Sequence, residues 1–222
     1  MESLSFIAFI IGFSVMFSVI TFSLRKFESV IDSGSVYVVI AISIFLGTVG
    51  VFFVSMNVYG INIIIYSVSA ASMNVLIKMI PFKIFKGISK DFNAMFYGIV
   101  AGSTYGGIIG VVVTYSYMIN NQISILGMLV AIAATLDFVL VNASSGYAVG
   151  KGYYLKDRLH GVTQGILYEL PLYFVIYFFQ TTRDTTFLIL IFAYSVGLYH
   201  VVYHRLIYYI PKKQRKKLLA SN

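Results

Sequence analysis

From Leu4 to Leu24 the chain carries no charged side chain, and six more long, predominantly apolar stretches follow, none with more than one charged residue. About 20 apolar residues at 1.5 Å each cross the hydrocarbon core of a bilayer. Seven membrane helices are therefore expected, over 4–24, 35–56, 59–80, 93–118, 123–149, 161–180 and 185–208. The strands of a membrane β-barrel would show short segments of alternating polarity instead. The connections are too short to hold an inserted soluble domain, and no internal repeat stands out. The expected architecture is an all-α polytopic membrane helix bundle over residues 1–210, with a basic tail over 211–222.

Composition agrees with this reading. The chain is 59% hydrophobic and only 11% charged, with a mean hydropathy of +0.88. A soluble domain is roughly a quarter charged, so a soluble enzyme, a disordered tail and a nucleic-acid-binding domain are excluded. With no cysteine there is no disulfide framework, no thiolate nucleophile and no Cys-based zinc or iron–sulfur site. The first run lacks a basic segment before it and a small-residue cleavage site after it. It reads as a retained helix rather than a signal peptide.

Charge supplies an orientation. Every Lys and Arg except Arg183 falls on alternate connections. Arg25 and Lys26 follow the first run, and Lys78, Lys83, Lys86 and Lys90 lie at or after the end of the third. Lys151, Lys156 and Arg158 follow the fifth, and Arg205, Lys212, Lys213, Arg215, Lys216 and Lys217 close the chain. Positive loops stay cytoplasmic, which puts the N-terminus outside and the C-terminus inside a cell membrane. The net charge of +8 is then topology, not a nucleic-acid footprint. The tail from Pro211 to Lys217 reads first as a stop-transfer anchor. It is also the place where anionic lipid headgroups are expected, at roughly 1 kcal/mol per basic residue. A retinal protein is excluded, because the last run, Thr185 to Tyr208, has no lysine to form a Schiff base.

One packing face is legible. Gly98, Gly102, Gly106 and Gly110 recur every fourth residue in the fourth run. Residues at i and i+4 share a face, and small faces drive helix contact in lipid. A second small stripe, Ser43, Gly47 and Gly50, is the candidate partner.

Ionisable residues inside the bilayer are costly unless paired or hydrated. Asp137 and Glu169 stand near the middle of the fifth and sixth runs, at similar expected depth. Ser144 and Ser145 continue from Asp137 toward the cytoplasmic side, and Gln164 lies below Glu169. Pro171 deprives the Leu167 carbonyl of its usual donor. Asn74 and Lys78 share a stripe of the third run with Ser67 and Ala71, and His200 and His204 are one turn apart in the last. Two arrangements compete. In one, Asn74, Lys78, Asp137, Glu169 and His200 line a polar cavity open to the cytoplasm. In the other, Lys78 snorkels to the headgroups, and the carboxyls are protonated or bonded to neighbouring polar side chains. The histidines then join an interfacial belt with Tyr199, Tyr203, Tyr208, Tyr209 and Arg205. A histidine pair at i, i+4 can grip one ion, so His200, His204 and Glu169 are the metal candidates. No residue is assigned as catalytic.

Further elements occur in a set order. Asn74-Val75-Leu76-Ile77-Lys78 precedes the charged loop Lys86 to Asp91. Tyr97-Gly98-Ile99-Val100-Ala101-Gly102 follows, continuing to Tyr105, and then Gly146-Tyr147 with a basic loop, and Gly161 to Tyr173. This order resembles the PrsW-type intramembrane metalloproteases, relatives of the CAAX prenyl proteases. That family carries Glu-Glu-x-x-Lys on one helix and a Tyr-Gly-x-x-x-Gly helix ending in Glu, then two helices that each present a histidine. Here Asn74 and Val75 replace the glutamate pair, and Ile109 stands at the second acidic position. Asp137 and Phe138 lie near the first histidine position, and Tyr168 and Glu169 near the second. The resemblance implies a shared fold with the ligands replaced: a catalytically silent relative without cofactor, packing against or binding a membrane-protein partner. The alternatives are a small proton- or ion-coupled transporter using Asp137 and Glu169, and an active metalloprotease holding zinc.

Overall fold

No water reaches the bilayer core to satisfy a stray N–H or C=O, so a spanning segment pairs its own backbone groups as a helix. The computed structural model describes residues 2–28, 31–55, 58, 60–85, 87–88, 91–120, 124–182 and 186–211. Among them the regular structure is helical throughout, with seven helices long and apolar enough to cross a membrane. The chain is a polytopic membrane helix bundle. In order it runs α1 (Glu2–Leu24), a 3-10 turn (Arg25–Phe27), α2 (Ser33–Ser55), α3 (Ile63–Lys78) and a short α4 (Ile80–Ile84). Then come α5 (Asn93–Asn120), α6 (Ile125–Tyr154), α7 (Arg158–Thr182) and α8 (Thr186–Tyr209). The basic tail lies outside the described residues from Lys212 onward.

Polar caps set where several helices begin, because the first N–H groups of a helix have no partner within it. Asp32 accepts from the Ser35 amide at 2.9 Å, Asp91 from that of Asn93 at 2.9 Å and Asp157 from that of His160 at 3.2 Å. Asn62 Oδ1 accepts from Ile64 and Ile65, which starts the third span at Ile63 rather than at the expected residue 59. Ser124 accepts from Gly127 at 3.0 Å. The fifth span outlasts its expected end at 149 and runs to Tyr154. Lys156, at φ 60°, then turns the chain through the left-handed region into α7.

The centre of the bundle is the α5–α6 hairpin, whose backbones touch. A Cβ at Gly98, Gly102 or Gly106 would strike the carbonyl of Gly146, Asn142 or Phe138, and one at Gly110 would strike Thr135. From the other side, Gly146 and Gly150 meet the carbonyls of Gly98 and Ala94. Bare backbone lets the helices approach until van der Waals packing holds them, which in lipid replaces the missing hydrophobic effect. Higher in the hairpin, the Thr114 and Thr135 hydroxyls pair at 2.7 Å. The partner of the glycine face is therefore α6, not the Ser43–Gly47–Gly50 stripe. That stripe meets a different side of α5, with Gly47 against Ile108 and Gly50 making room for the Tyr105 hydroxyl.

α1 and α2 lie against α5, while α7 and α8 lie against α6, and α3 packs on α7 and reaches α6. Gly12 of α1 sits on Val111, and Met16 sits on Gly107. At the α6–α7 corner Gly152 and Gly161 press together. This corner brings Glu169 of α7 up to the side of α6.

Candidate functional site

Four helices converge on one buried polar cluster. On α3, Asn74 and Lys78 are one turn apart and so share a face. On α7, Glu169 and Tyr173 repeat that spacing. α6 adds Ser145, and α5 adds Tyr105. All six side chains are buried, none more than 2% exposed. Lys78 and Glu169 form a salt bridge through Glu169 Oε1. Lys78 Nζ also donates to Ser145 Oγ at 2.8 Å, and Ser145 Oγ lies 2.5 Å from the same Glu169 oxygen, with the Asn142 carbonyl as a second acceptor at 3.0 Å. The ammonium stands 5.1 Å from the centroid of the Tyr105 ring. The Tyr105 hydroxyl donates to Asn74 Oδ1, and the Asn74 amide donates to the Tyr173 hydroxyl. Glu169 Oε2 is left without a hydrogen-bond partner.

Lys78 therefore does not snorkel. Its charge is cancelled by Glu169 and softened by an aromatic face, the two devices that make an ammonium tolerable away from water.

Asp137 occupies a different site. It is 1% exposed, its Oδ1 accepts from Ser195 of α8 at 2.5 Å, and its Oδ2 has no partner. Asp137 and Ser145 are eight residues apart on α6, about 12 Å along the axis. The two carboxyls expected at one depth thus belong to separate groups, one joining α6 to α8 and the other joining α6 to α3 and α7. Ser144 bonds back to the Leu140 carbonyl at 2.8 Å. Gln164 donates to the Tyr168 hydroxyl at 2.5 Å and stays outside the Glu169 cluster. Near Pro171, Tyr194 of α8 donates to the Tyr168 carbonyl at 2.9 Å, next to the carbonyl that proline leaves without a donor.

The histidines are elsewhere again. His200 and His204 are both exposed on α8, their ring centroids 4.4 Å apart. The single cavity expected to join Asn74, Lys78, Asp137, Glu169 and His200 is not what forms. Nor do they share a full belt with their tyrosine neighbours, because Tyr199 is buried and bonded to Ser23 of α1. Among the described residues no three His, Asp or Glu side chains gather where they could hold a metal ion.

Sequence reasoning named Tyr105 and Tyr173 only as the ends of motif segments, not as members of a polar site, and passed over Ser195. For Tyr173 the signal was present, since it follows Glu169 by four residues, just as Lys78 follows Asn74. Ser195 sits in an apolar run and gave none. The chain matches no protein-family model, no curated protein and no solved structure. Fold and composition define a multi-pass helical membrane protein.

Proposed function

We propose that this protein is a non-catalytic membrane scaffold of PrsW-like architecture, whose buried ion pair locks the helices and whose outer faces bind a membrane-protein partner. The observation that carries the reading is the Lys78–Glu169 pair, closed off by Ser145, Asn74, Tyr105 and Tyr173. Asn74 and Lys78 stand at the position of the family's Glu-Glu-x-x-Lys element and Glu169 near its second histidine. Their convergence is what such an architecture would require. A metal-assisted hydrolase needs ligands around an open position and a base for the water. Here the carboxylate is spent on an ammonium, and the histidines point away. The alternate basic loops favour an outside N-terminus, a cytoplasmic C-terminus and insertion in a cell membrane, with the tail against anionic lipid headgroups.

A second reading, a proton- or ion-coupled transporter, is favoured by the two buried oxygens without partners, Glu169 Oε2 and Asp137 Oδ2. Either is a place for a proton to land. Purified protein separates the readings by metal analysis and by proton flux in proteoliposomes. The scaffold predicts neither stoichiometric zinc nor flux that depends on these carboxyls. Zinc lost in Glu169→Gln would establish the protease, and flux lost in Asp137→Asn the transporter.

A further inference from the structure

The end of the bundle where α6 and α8 finish and α7 begins carries polar groups that neither buried carboxyl uses. Tyr147 of α6 is 1% exposed, and its hydroxyl has no hydrogen-bond partner. Its electrostatic neighbours are Tyr209 and Arg205 of α8 and Tyr168 of α7. Two helices running the same way account for this. Ser195 meets Asp137, and Arg205 and Tyr147 each follow ten residues later. Lys151, one turn beyond Tyr147, holds its Nζ 5.4 Å from the centroid of the Tyr209 ring. Gln164 donates to the Tyr168 hydroxyl and leaves its own buried Oε1 without a partner. Among the described residues, neither Lys151 nor Arg205 has a carboxylate within ion-pair distance. Measured along the axes, Lys151 and Arg205 lie within about 6 Å of the ends of their helices, and Tyr147 and Gln164 roughly 10 Å in. Those depths are the headgroup layer and the edge of the hydrocarbon beneath it.

We propose that this junction of α6, α7 and α8 binds the phosphate headgroup of one anionic phospholipid. Lys151 and Arg205 supply the charge for the phosphodiester, and the Tyr147 hydroxyl donates to one of its oxygens. Gln164 Oε1 accepts from a hydroxyl of the headgroup. A buried hydroxyl left unpaired has given up its water for nothing, and a phosphate oxygen at this depth restores the bond. Basic sites between membrane helices on the cytoplasmic side are where such headgroups bind. The surface beneath suits acyl chains. Val201 lies one turn from Arg205 on the same face of α8, and Leu167 three residues from Gln164 on α7, and both are exposed. A free phosphate would leave that apolar surface unused. The chain's own tail is no rival occupant, because Lys212, Lys213, Arg215, Lys216 and Lys217 repel the two cations. The proposal goes beyond the scaffold reading, which sets headgroups against the tail alone, and borrows from it only the cytoplasmic placement of this end.

The test titrates the full chain in zwitterionic detergent micelles with phosphatidylglycerol carrying a fluorophore on one acyl chain, read by anisotropy. Phosphatidylcholine with the same chains and label is the comparison. Neither the orientation in a membrane nor the PrsW-like reading enters this measurement. Phosphatidylglycerol is expected to bind at least about tenfold more tightly, and Arg205→Gln and Lys151→Gln should each remove about tenfold, the scale of one charge-assisted hydrogen bond. Tyr147→Phe keeps the ring and removes a hydroxyl that has no bond to lose. It should leave lipid-free thermal unfolding unchanged and still weaken binding about fivefold. In about 0.3 M salt the tail charges are screened, so Lys216→Gln with Lys217→Gln should shift affinity by less than about twofold. Equal binding of the two lipids would overturn the proposal, as would wild-type affinity in Tyr147→Phe or a lower lipid-free unfolding temperature in that variant. So would a loss in the tail variant as large as in Arg205→Gln. Displacement of the lipid by equimolar glycerol 3-phosphate would assign the site to a free phosphate instead and overturn it too.

Discussion

Removing either member of the Lys78–Glu169 pair should cost far more than removing both. Lys78→Met leaves Glu169 buried with only the Ser145 hydroxyl near Oε1 and nothing at Oε2. Glu169→Gln keeps a hydrogen-bond acceptor but strands the ammonium, which then has Ser145 and the face of Tyr105 for company. Breaking a buried pair by deleting one partner costs about 3–5 kcal/mol, because the survivor is an uncompensated charge. Replacing both with apolar groups of similar size is often neutral or stabilising. Lys78→Met with Glu169→Leu should therefore recover most of what either single change loses. It still leaves the Ser145 hydroxyl bonded to the Asn142 carbonyl.

The measurement is equilibrium unfolding in mixed micelles for the wild type, both single variants and the double variant, read as a double-mutant cycle. The expected coupling is at least about 3 kcal/mol. Single variants that lose less than about 1 kcal/mol, or a double variant equal to the sum of the singles, would refute the idea that this pair is an interior charge lock. The Glu169→Gln result is especially informative. Viewed as a lone carboxyl in the sequence, Glu169 would tolerate the amide; paired with Lys78, it should not.

Other consequences follow from the same geometry. Gly102→Leu drives a side chain into the Asn142 carbonyl and should destabilise the bundle by about 3 kcal/mol or more, the upper range for overpacking; unchanged unfolding would mean that α5 and α6 do not touch there. Asp137→Asn keeps an acceptor for Ser195 and should stay within about 1 kcal/mol of wild type, whereas Ser195→Ala strips a buried carboxyl of its donor and should cost about 1–3 kcal/mol. A larger loss in Asp137→Asn than in Ser195→Ala would contradict that order. At the start of α2, the hydrogen bonds from Ser35 hold the Asp32 carboxyl below its ordinary 3.8. A lowered folded value means that the cap is complete above 3.8 and is lost as pH falls through the folded value. Exchange of the Ser35 amide, corrected for its intrinsic pH dependence, should accelerate in that window, and Asp32→Asn should flatten the response.

The sequence alone settled what depends on length and composition. Seven predominantly apolar stretches, each long enough to cross a bilayer, leave a helix bundle as the outcome, and the four glycines of α5 announce a backbone contact whatever partner fills it. The partner was beyond reach. Gly146 and Gly150 of α6 and Gly47 and Gly50 of α2 are equally small stripes, and choosing between them needs the rotation and axial register of each helix. The polar residues pose the same problem. Asp137 and Glu169 look like equals when counted along their runs, yet one turns toward Ser195 and the other toward Lys78. His200 resembles a third member of that set and faces outward instead. In water the polar face of a helix marks its outside, so periodicity reveals orientation. In a bilayer the outside is as apolar as the core. Which face turns inward is then decided by backbone contacts and by pairs of buried polar groups on different helices, and these exist only once the helices have packed.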